Sequence, residues 1–487
     1  MSPTVKEIRC ALLAATANIP VASEYGESTP ANTFAPASHI KALRPQTSLV
    51  VGARGVGKTF WTQALQDKNI RRMLSQDIPE FENTRVTVGY GNANIPELYP
   101  STNTFSTLLK EYAPSDIWRA IIVHAVASHS DMSDCTPPFA HGEWADDVKA
   151  VQSSPEKIDE FLHDANKKLE KSNICLLILF DALDRVAESW KDIDVLTTAL
   201  LRIALQFSTY SSLKIKIFLR EDHYNRLSFS FPDSSKLLSY KIELTWNRAE
   251  LYSLLWKQLC NAPNEYGETL RALFNSKIHE ILEEEDGVWQ FRSDAQLNDE
   301  KLRPLVHELT GPYMGKDQRR GIPYIWIVGH LADARLQTTP RSFLVAIRRA
   351  CEDSLKNHAD SEYPIHFESI KRGVQSASEI RVNEMKEDNP WAAALLSLLK
   401  GMNVPCSFSE IEEVWQKEYP QGPSMLLEED KQHTPPEFAV GNWDNVRKIL
   451  EKLGFCNSLQ DERFHMPDIY RIGFRLGRKG GVKPLRS

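Results

Sequence analysis

Gly52-Ala53-Arg54-Gly55-Val56-Gly57-Lys58-Thr59, GARGVGKT in one-letter code, fills every fixed place of the pattern G-x-x-x-x-G-K-[ST]. Its flanks fit the same reading. Ser48-Leu49-Val50-Val51 is a short apolar run suited to a buried strand, and Phe60-Trp61-Thr62-Gln63-Ala64-Leu65 opens a helix. Glycines in such a loop let successive backbone N–H groups turn inward on phosphate oxygens, and the helix N-terminus beyond adds the positive end of a dipole. Lys58 is expected to reach the β- and γ-phosphates, and the Thr59 hydroxyl to hold Mg²⁺. Ala53, Arg54, Gly55, Val56 and Phe60 complete the expected cradle. The stretch predicts a nucleoside triphosphate site, with ATP and Mg²⁺ as its ligands.

A second element supports it. Ile174-Cys175-Leu176-Leu177-Ile178-Leu179-Phe180-Asp181 reads as a buried strand ending in a carboxylate, where Asp181 can hold Mg²⁺ directly or through water. In Phe180-Asp181-Ala182-Leu183-Asp184-Arg185 a second acid follows. Asp184 is the candidate to orient or deprotonate an attacking water; the alternatives are a helix cap or a pair with Arg185. The strand Leu213 to Leu219 ends in Arg220-Glu221-Asp222. Arg220 reads either as a γ-phosphate sensor or as the partner of Glu221 or Asp222. Thr338-Thr339-Pro340-Arg341-Ser342-Phe343 opens a helix with Arg341 in its first turn, against the helix dipole. Such an arginine needs an anion, and the nucleotide phosphates are the expected one. Gln318-Arg319-Arg320-Gly321 reads as an arginine finger, a partner contact or a solvated loop.

The bulk numbers set limits. A chain of 487 residues is too long for one core and implies two to four domains. A net charge of −7 gives no global reason for nucleic-acid binding, so any such contact needs a local patch. No apolar run reaches membrane-spanning length, and Cys10 to Ala15 is too short for a signal core, so no membrane partner and a cytoplasmic location are expected. Seven scattered cysteines without a C-x-x-C pair read as reduced thiols. His124, His129, Cys135 and His141 match no common zinc spacing.

Strand-like and helical segments alternate from Ser48 to Leu244, which indicates a parallel sheet covered by helices. The reading is an α/β P-loop NTPase core with a parallel sheet, followed by an all-α lid and a C-terminal winged-helix domain. The expected boundaries are a lead-in over residues 1–45, lying over the nucleotide site, the core over 46–243, the lid over 244–385 and the winged helix over 386–487. Within the lid, helices are expected over Ala249 to Leu259, Glu268 to Glu284, Ile325 to Leu336 and Arg341 to Asn357. In the last unit Trp443 to Leu453 reads as a periodic helix stopped by Gly454. Phe455 to Met466 reads as a hairpin wing. Tyr470 to Ser487 carries Arg471, Arg475, Arg478, Lys479, Lys483 and Arg486 with no acid, a basic region through which duplex DNA could be held.

GARGVGKT, FDALDR, the strand-final arginine of IFLRED and TPRSF in the lid together resemble the additional-strand P-loop NTPases of the AAA+ and STAND/KAP type, over roughly Thr47 to Leu355. Similar FDALDR-bearing ATPases occur in bacterial multi-gene defence-type systems, so the resemblance implies an anti-phage role beside a separate effector protein. AAA+ enzymes usually carry Asp-Glu at the end of the second strand, and here Ala182 follows Asp181. That departure implies slow hydrolysis, or a role for Asp184 instead. The leading expectation is an ATP switch that forms a homo-oligomer on ATP binding and acts through a partner protein. The alternative is a DNA-binding ATPase, a loader, sensor or regulator, with the winged helix on duplex DNA. A phosphotransferase would need an acceptor pocket that no motif supplies.

Overall fold

The computed structural model describes residues 3–17, 27–129, 137–139, 142–227, 229, 231–279, 281–292, 297–429, 435, 441–479 and 482–484. The chain divides into two compact units, Glu27–Thr245 and Met1–Gly26 with Trp246–Ser487.

The first unit is built on five strands: β1 (Leu49–Gly52), β2 (Thr84–Tyr90), β3 (Cys175–Phe180), β4 (Leu213–Arg220) and β5 (Lys241–Glu243). They form one parallel sheet in the order β2-β3-β4-β1-β5. Strands β1 and β3 read as nearly continuous apolar runs because helices cover the sheet. Beside β3, Phe180 meets Trp118 edge to face at 5.6 Å, and Tyr90 meets Phe105 in the same way at 5.6 Å. The strand order inserts β4 between the β1 strand that feeds GARGVGKT and the β3 strand that ends at Asp181. Register then sets Gly52 beside Arg220 and Phe180 beside Ile217, so the carboxyl ends of three strands converge.

Two buried groups tie residues 36–47 to this sheet. His39 in helix Ala37–Leu43 accepts at Nδ1 from Trp61 Nε1 (3.2 Å) and donates from Nε2 to the Thr245 carbonyl (3.0 Å). Burial pulls this imidazole down to about 4, so it stays neutral with the proton on Nε2. Lys216 on β4 is fully buried, and its ammonium donates to the carbonyls of Ala42 (2.6 Å), Arg44 (2.9 Å) and Thr47 (2.7 Å).

The second unit is mainly helical. Helix Val5–Thr16 starts in a capping box between Thr4 and Glu7 and packs on helices Asn264–Lys277 and Pro340–Asn357. Its Arg9 is buried and donates to the carbonyls of Pro364 (3.0 Å), Tyr363 (3.2 Å) and Ala359 and to Ser361 Oγ. The helix expected to run to Glu284 ends at Lys277. An antiparallel hairpin follows, β6 (Leu282–Glu285) and β7 (Val288–Phe291). Asp286 and Gly287, both at positive φ, supply its turn, and Lys257 and Asn261 hold the Trp289 carbonyl. The expected helix Ile325 to Leu336 runs Pro323–Leu331. Helix Phe367–Asp388 (22 residues) runs on to the winged helix and was absent from the sequence expectation.

The winged helix comprises helices Pro390–Ser397, Phe408–Glu418, Ser424–Glu429 and Trp443–Lys452 and a hairpin of β8 (Asn457–Ser458) with β9 (Phe464–His465). A bridge from Cys406 to Phe464 adds a third edge to the wing. Trp415 is fully buried and donates to the Leu395 carbonyl, and Gly454 ends the third long helix at φ +80°. No described helix is long and apolar enough to cross a membrane, and the six described cysteines are free thiols. Cys135 and His141 lie outside the described residues, and His124 bonds the Glu97 carbonyl.

Candidate nucleotide-binding site

The loop after β1 has the backbone that GARGVGKT demands. Gly57 sits at φ +111° as the residue before helix Lys58–Gln66, and a Cβ there would point into open space, so the constraint is conformational. At Gly52 the constraint is steric, since a Cβ would lie 2.6 Å from Val56 Cγ1. Lys58 is buried at the helix start. Its ammonium folds back onto the loop, donating to the carbonyls of Gly52 (2.7 Å) and Ala53 (2.9 Å). Burial pulls it down to about 8, against the charge of Asp181.

Asp181 stands at the end of β3, where its backbone N–H donates to the Tyr90 carbonyl of β2 (3.0 Å). Its side chain is buried, which pushes the carboxyl up, opposed by hydrogen bonds from the Ala182 N–H and the Thr59 hydroxyl and by Lys58. Oδ2 is buried and accepts no hydrogen bond from the described residues. The strand then turns sharply. Ala182 takes the left-handed conformation (φ +54°), which costs a residue with a Cβ on the order of 1 kcal/mol. The short 3₁₀ turn Leu183–Arg185 that follows carries Asp184 back toward β4.

There Asp184 meets Arg220. Arg220 Nη1 donates to Asp184 Oδ2 at 3.1 Å, while Nε and Nη2 engage Asp222 as a fork at 3.0 and 2.6 Å. Burial works against the charge on Asp222, but Arg220 overrides it and holds the carboxyl down at about 2. Arg185, the other suggested partner of Asp184, bonds Asn92 instead. Phe60 is half-buried and meets Trp61 edge to face; Arg54 and Val56 lie in the loop itself.

The sequence residues thus fall in two groups. Lys58, Thr59, Asp181, Asp184 and Arg220 gather at the carboxyl ends of β1, β3 and β4. Arg341 belongs to the other unit, where Nη1 meets Glu384 Oε1 at 2.5 Å, both side chains being at most 13% exposed. The anion that its helix start demands is found there. Arg319 and Arg320 lie in an exposed turn of that same unit. Asp222 was legible only as one suggested partner of Arg220. His39 carried no local signal, since Trp61 and Thr245 are remote in sequence.

A parallel sheet with β4 between the strand that leads into GARGVGKT and the strand that ends at Asp181 has the α/β architecture of a P-loop NTPase core. No protein-family model matches the chain, and no curated protein does. Solved structures similar to it include Cdc6p of Pyrobaculum aerophilum, at 12% identity over 87% of this chain and 83% of that one, TM-score 0.30. The ORC2 protein of Aeropyrum pernix in ADPNP–ADP complexes matches at 12% identity over 91% and 94%, TM-score 0.32. The ORC1 protein of the same organism in complex with DNA matches at 15% identity over 96% and 90%, TM-score 0.32.

Proposed function

We propose that this chain binds ATP with Mg²⁺ at the GARGVGKT loop and hydrolyses it slowly, as a nucleotide-dependent switch. The observation that carries the reading is the buried Asp181 Oδ2, unpaired among the described residues, beside the Thr59 hydroxyl and within electrostatic reach of Lys58. A carboxylate oxygen and a hydroxyl are the oxygen donors that a hard divalent cation takes, so the residues fit Mg²⁺. When bound, the ion would neutralise charge on the phosphate oxygens. Burial drives Lys58 and Asp181 toward their neutral forms. A polyphosphate would favour the charged lysine. The loop N–H groups and Lys58 bind and orient the phosphates. Asp184 takes the proton of the attacking water, and Arg220 stabilises the charge that develops. Arg220 and Asp184 hold each other in this structure, so the base is tied up until Arg220 has another anion. Such a site suits slow turnover. Action through a separate effector, oligomerisation on ATP and a defence role are drawn from the sequence resemblance, and a nucleotide contact by Arg341 from its place in the first turn of its helix.

Steady-state ATP hydrolysis by the purified chain, beside Lys58→Ala, tests this. Slow turnover that the variant loses is expected; equal turnover in both would overturn the assignment.

A second reading, duplex DNA binding, draws on the exposed Arg475, Arg478, Lys479 and Lys483 at the chain's basic end. Arg471, counted with them from sequence, is fully buried and held by Asp468 and the carbonyls of Leu476 and Val482. The fair test is therefore Arg475, Lys479 and Lys483 changed together to Ala, leaving Arg471. Each phosphate-neutralising charge removed should lower the salt slope of binding by about 0.9. Unchanged affinity and slope would remove this reading.

A further inference from the structure

The helical unit holds a cavity of about 710 Å³, lined by residues 318–336 and 457–478 and by none of the phosphate-loop residues. That volume suits a small molecule. On one wall Trp326 and His330, one helical turn apart, stack with ring centroids 3.8 Å apart and planes 22° from parallel. Facing them is Asp468, whose side chain is only 3% exposed.

The two oxygens of Asp468 have different fates. Oδ1 accepts from Arg471 Nε at 2.7 Å and from Arg478 Nη1 at 3.5 Å. Oδ2 is buried and receives no hydrogen bond from the described residues, and Asp468 is one of the residues that line the cavity. What stands opposite it, at 3.5 Å, is Nε2 of His330. The other ring nitrogen, Nδ1, lies 2.8 Å from the Trp326 carbonyl oxygen. A carbonyl only accepts, so Nδ1 carries the proton. Burial pulls this imidazole below its ordinary range, which leaves Nε2 as a lone pair at neutral pH. Two acceptors therefore face one another at the cavity wall, and an unsatisfied buried acceptor is costly. A single nitrogen bearing two hydrogens satisfies both.

Charge and shape narrow the ligand further. Arg471 and Arg478 already balance Asp468, so a cation would gain little there. The stacked Trp326–His330 wall favours a flat ring over an aliphatic chain. We propose that this cavity binds a planar heterocycle carrying an exocyclic amino group, of the aminated nucleobase class. The amino group donates to Asp468 Oδ2 and His330 Nε2, and the ring lies along Trp326. A carbonyl in place of the amino group sets a third acceptor against two, so discrimination is sharp.

Calorimetric titration with free adenine and cytosine, against hypoxanthine and uracil, tests this on the intact chain. Free bases lack the phosphates that the GARGVGKT loop recognises. The amino bases should bind at least about tenfold tighter than the carbonyl bases. Equal binding across the four, or no binding by any of them, would overturn the proposal. Adenosine and an oligo-dA strand in parallel tell a free base from one carried on a strand; amino-specific binding of either supports the site. Asp468→Asn turns the unpaired oxygen into an N–H donor while keeping Oδ1 for Arg471, and should shift preference toward hypoxanthine. Should that variant fail to fold, His330→Phe keeps the ring stack and removes Nε2. Adenine binding must then weaken at least tenfold at unchanged melting temperature; unchanged affinity there refutes the site.

Discussion

Lys58 and Lys216 are two buried lysines of one sheet unit, and the surroundings of their ammonium groups separate the residue proposed to meet phosphate from a structural one. Lys216 spends all three hydrogens on carbonyls, those of Ala42, Arg44 and Thr47. Lys58 spends two, on Gly52 and Ala53, and keeps carboxylates nearby without a hydrogen bond to any of them among the described residues. Burial depresses both, to about 7 and about 8. Desolvation alone therefore says little about function. What distinguishes the two is donor capacity left over, and at Lys58 it is left over next to an equally unpaired Asp181 oxygen.

Lys58→Ala should lower ATP turnover by at least about 10²-fold, as the loss of one phosphate-directed donor does, with little change in Tm. Equal losses of Tm and turnover would make Lys58 structural and erase the distinction. Lys216→Met should do the reverse, costing about 2–3 kcal/mol in urea unfolding because buried carbonyls lose their donor. The folded fraction of that variant should retain normal turnover per molecule.

Asp184→Asn should slow hydrolysis about tenfold while leaving ATP affinity close to wild type. Retained hydrolysis would move the base to another acid and turn the Arg220–Asp184 pair into a plain brace.

The smallest effect is on pH. For Lys216 the folded value near 7 lies below the ordinary 10.5. The unfolded chain therefore holds a proton that the folded chain has lost, and stability rises with pH through that window. Lys58 adds the same sign from about 8 upward. Between about pH 7 and 9 the Tm of the wild type should climb more steeply than that of Lys216→Met. Parallel curves would show that Lys216 does not titrate there.

The candidate site was legible in the sequence because its signals are local: GARGVGKT between a strand and a helix, and an apolar run ending in Asp181. Lys216 shows what local reading misses. In Leu213-Lys214-Ile215-Lys216-Ile217 the alternation places both lysines on a polar face, yet the segment ending at Thr47 covers Lys216 completely. Its partners lie some 170 positions away in the chain, and no window reaches them. The β6–β7 hairpin failed for another reason. Glu283, Glu284 and Glu285 favour a helix by propensity, and the Asp286-Gly287 turn outweighs them. Arg341 reads from sequence as needing an anion, and the Glu384 that it meets lies 43 positions further on, beyond the reach of the motif.

Arg9 gives the chain a calendar. Its buried guanidinium closes on carbonyls 350 to 355 positions later, at Ala359 and Pro364. At ribosomal speeds of about 5–20 residues per second, helix Val5–Thr16 waits roughly 20 to 70 seconds for its seat. In that interval the whole of Glu27–Thr245 has emerged as one continuous stretch. The sheet unit can therefore complete its sheet during translation, while helix Val5–Thr16 is among the last to dock. A bulky fusion ahead of Val5 should delay maturation of the helical unit and leave the sheet unit on schedule, a difference that timed proteolysis of nascent chains would register.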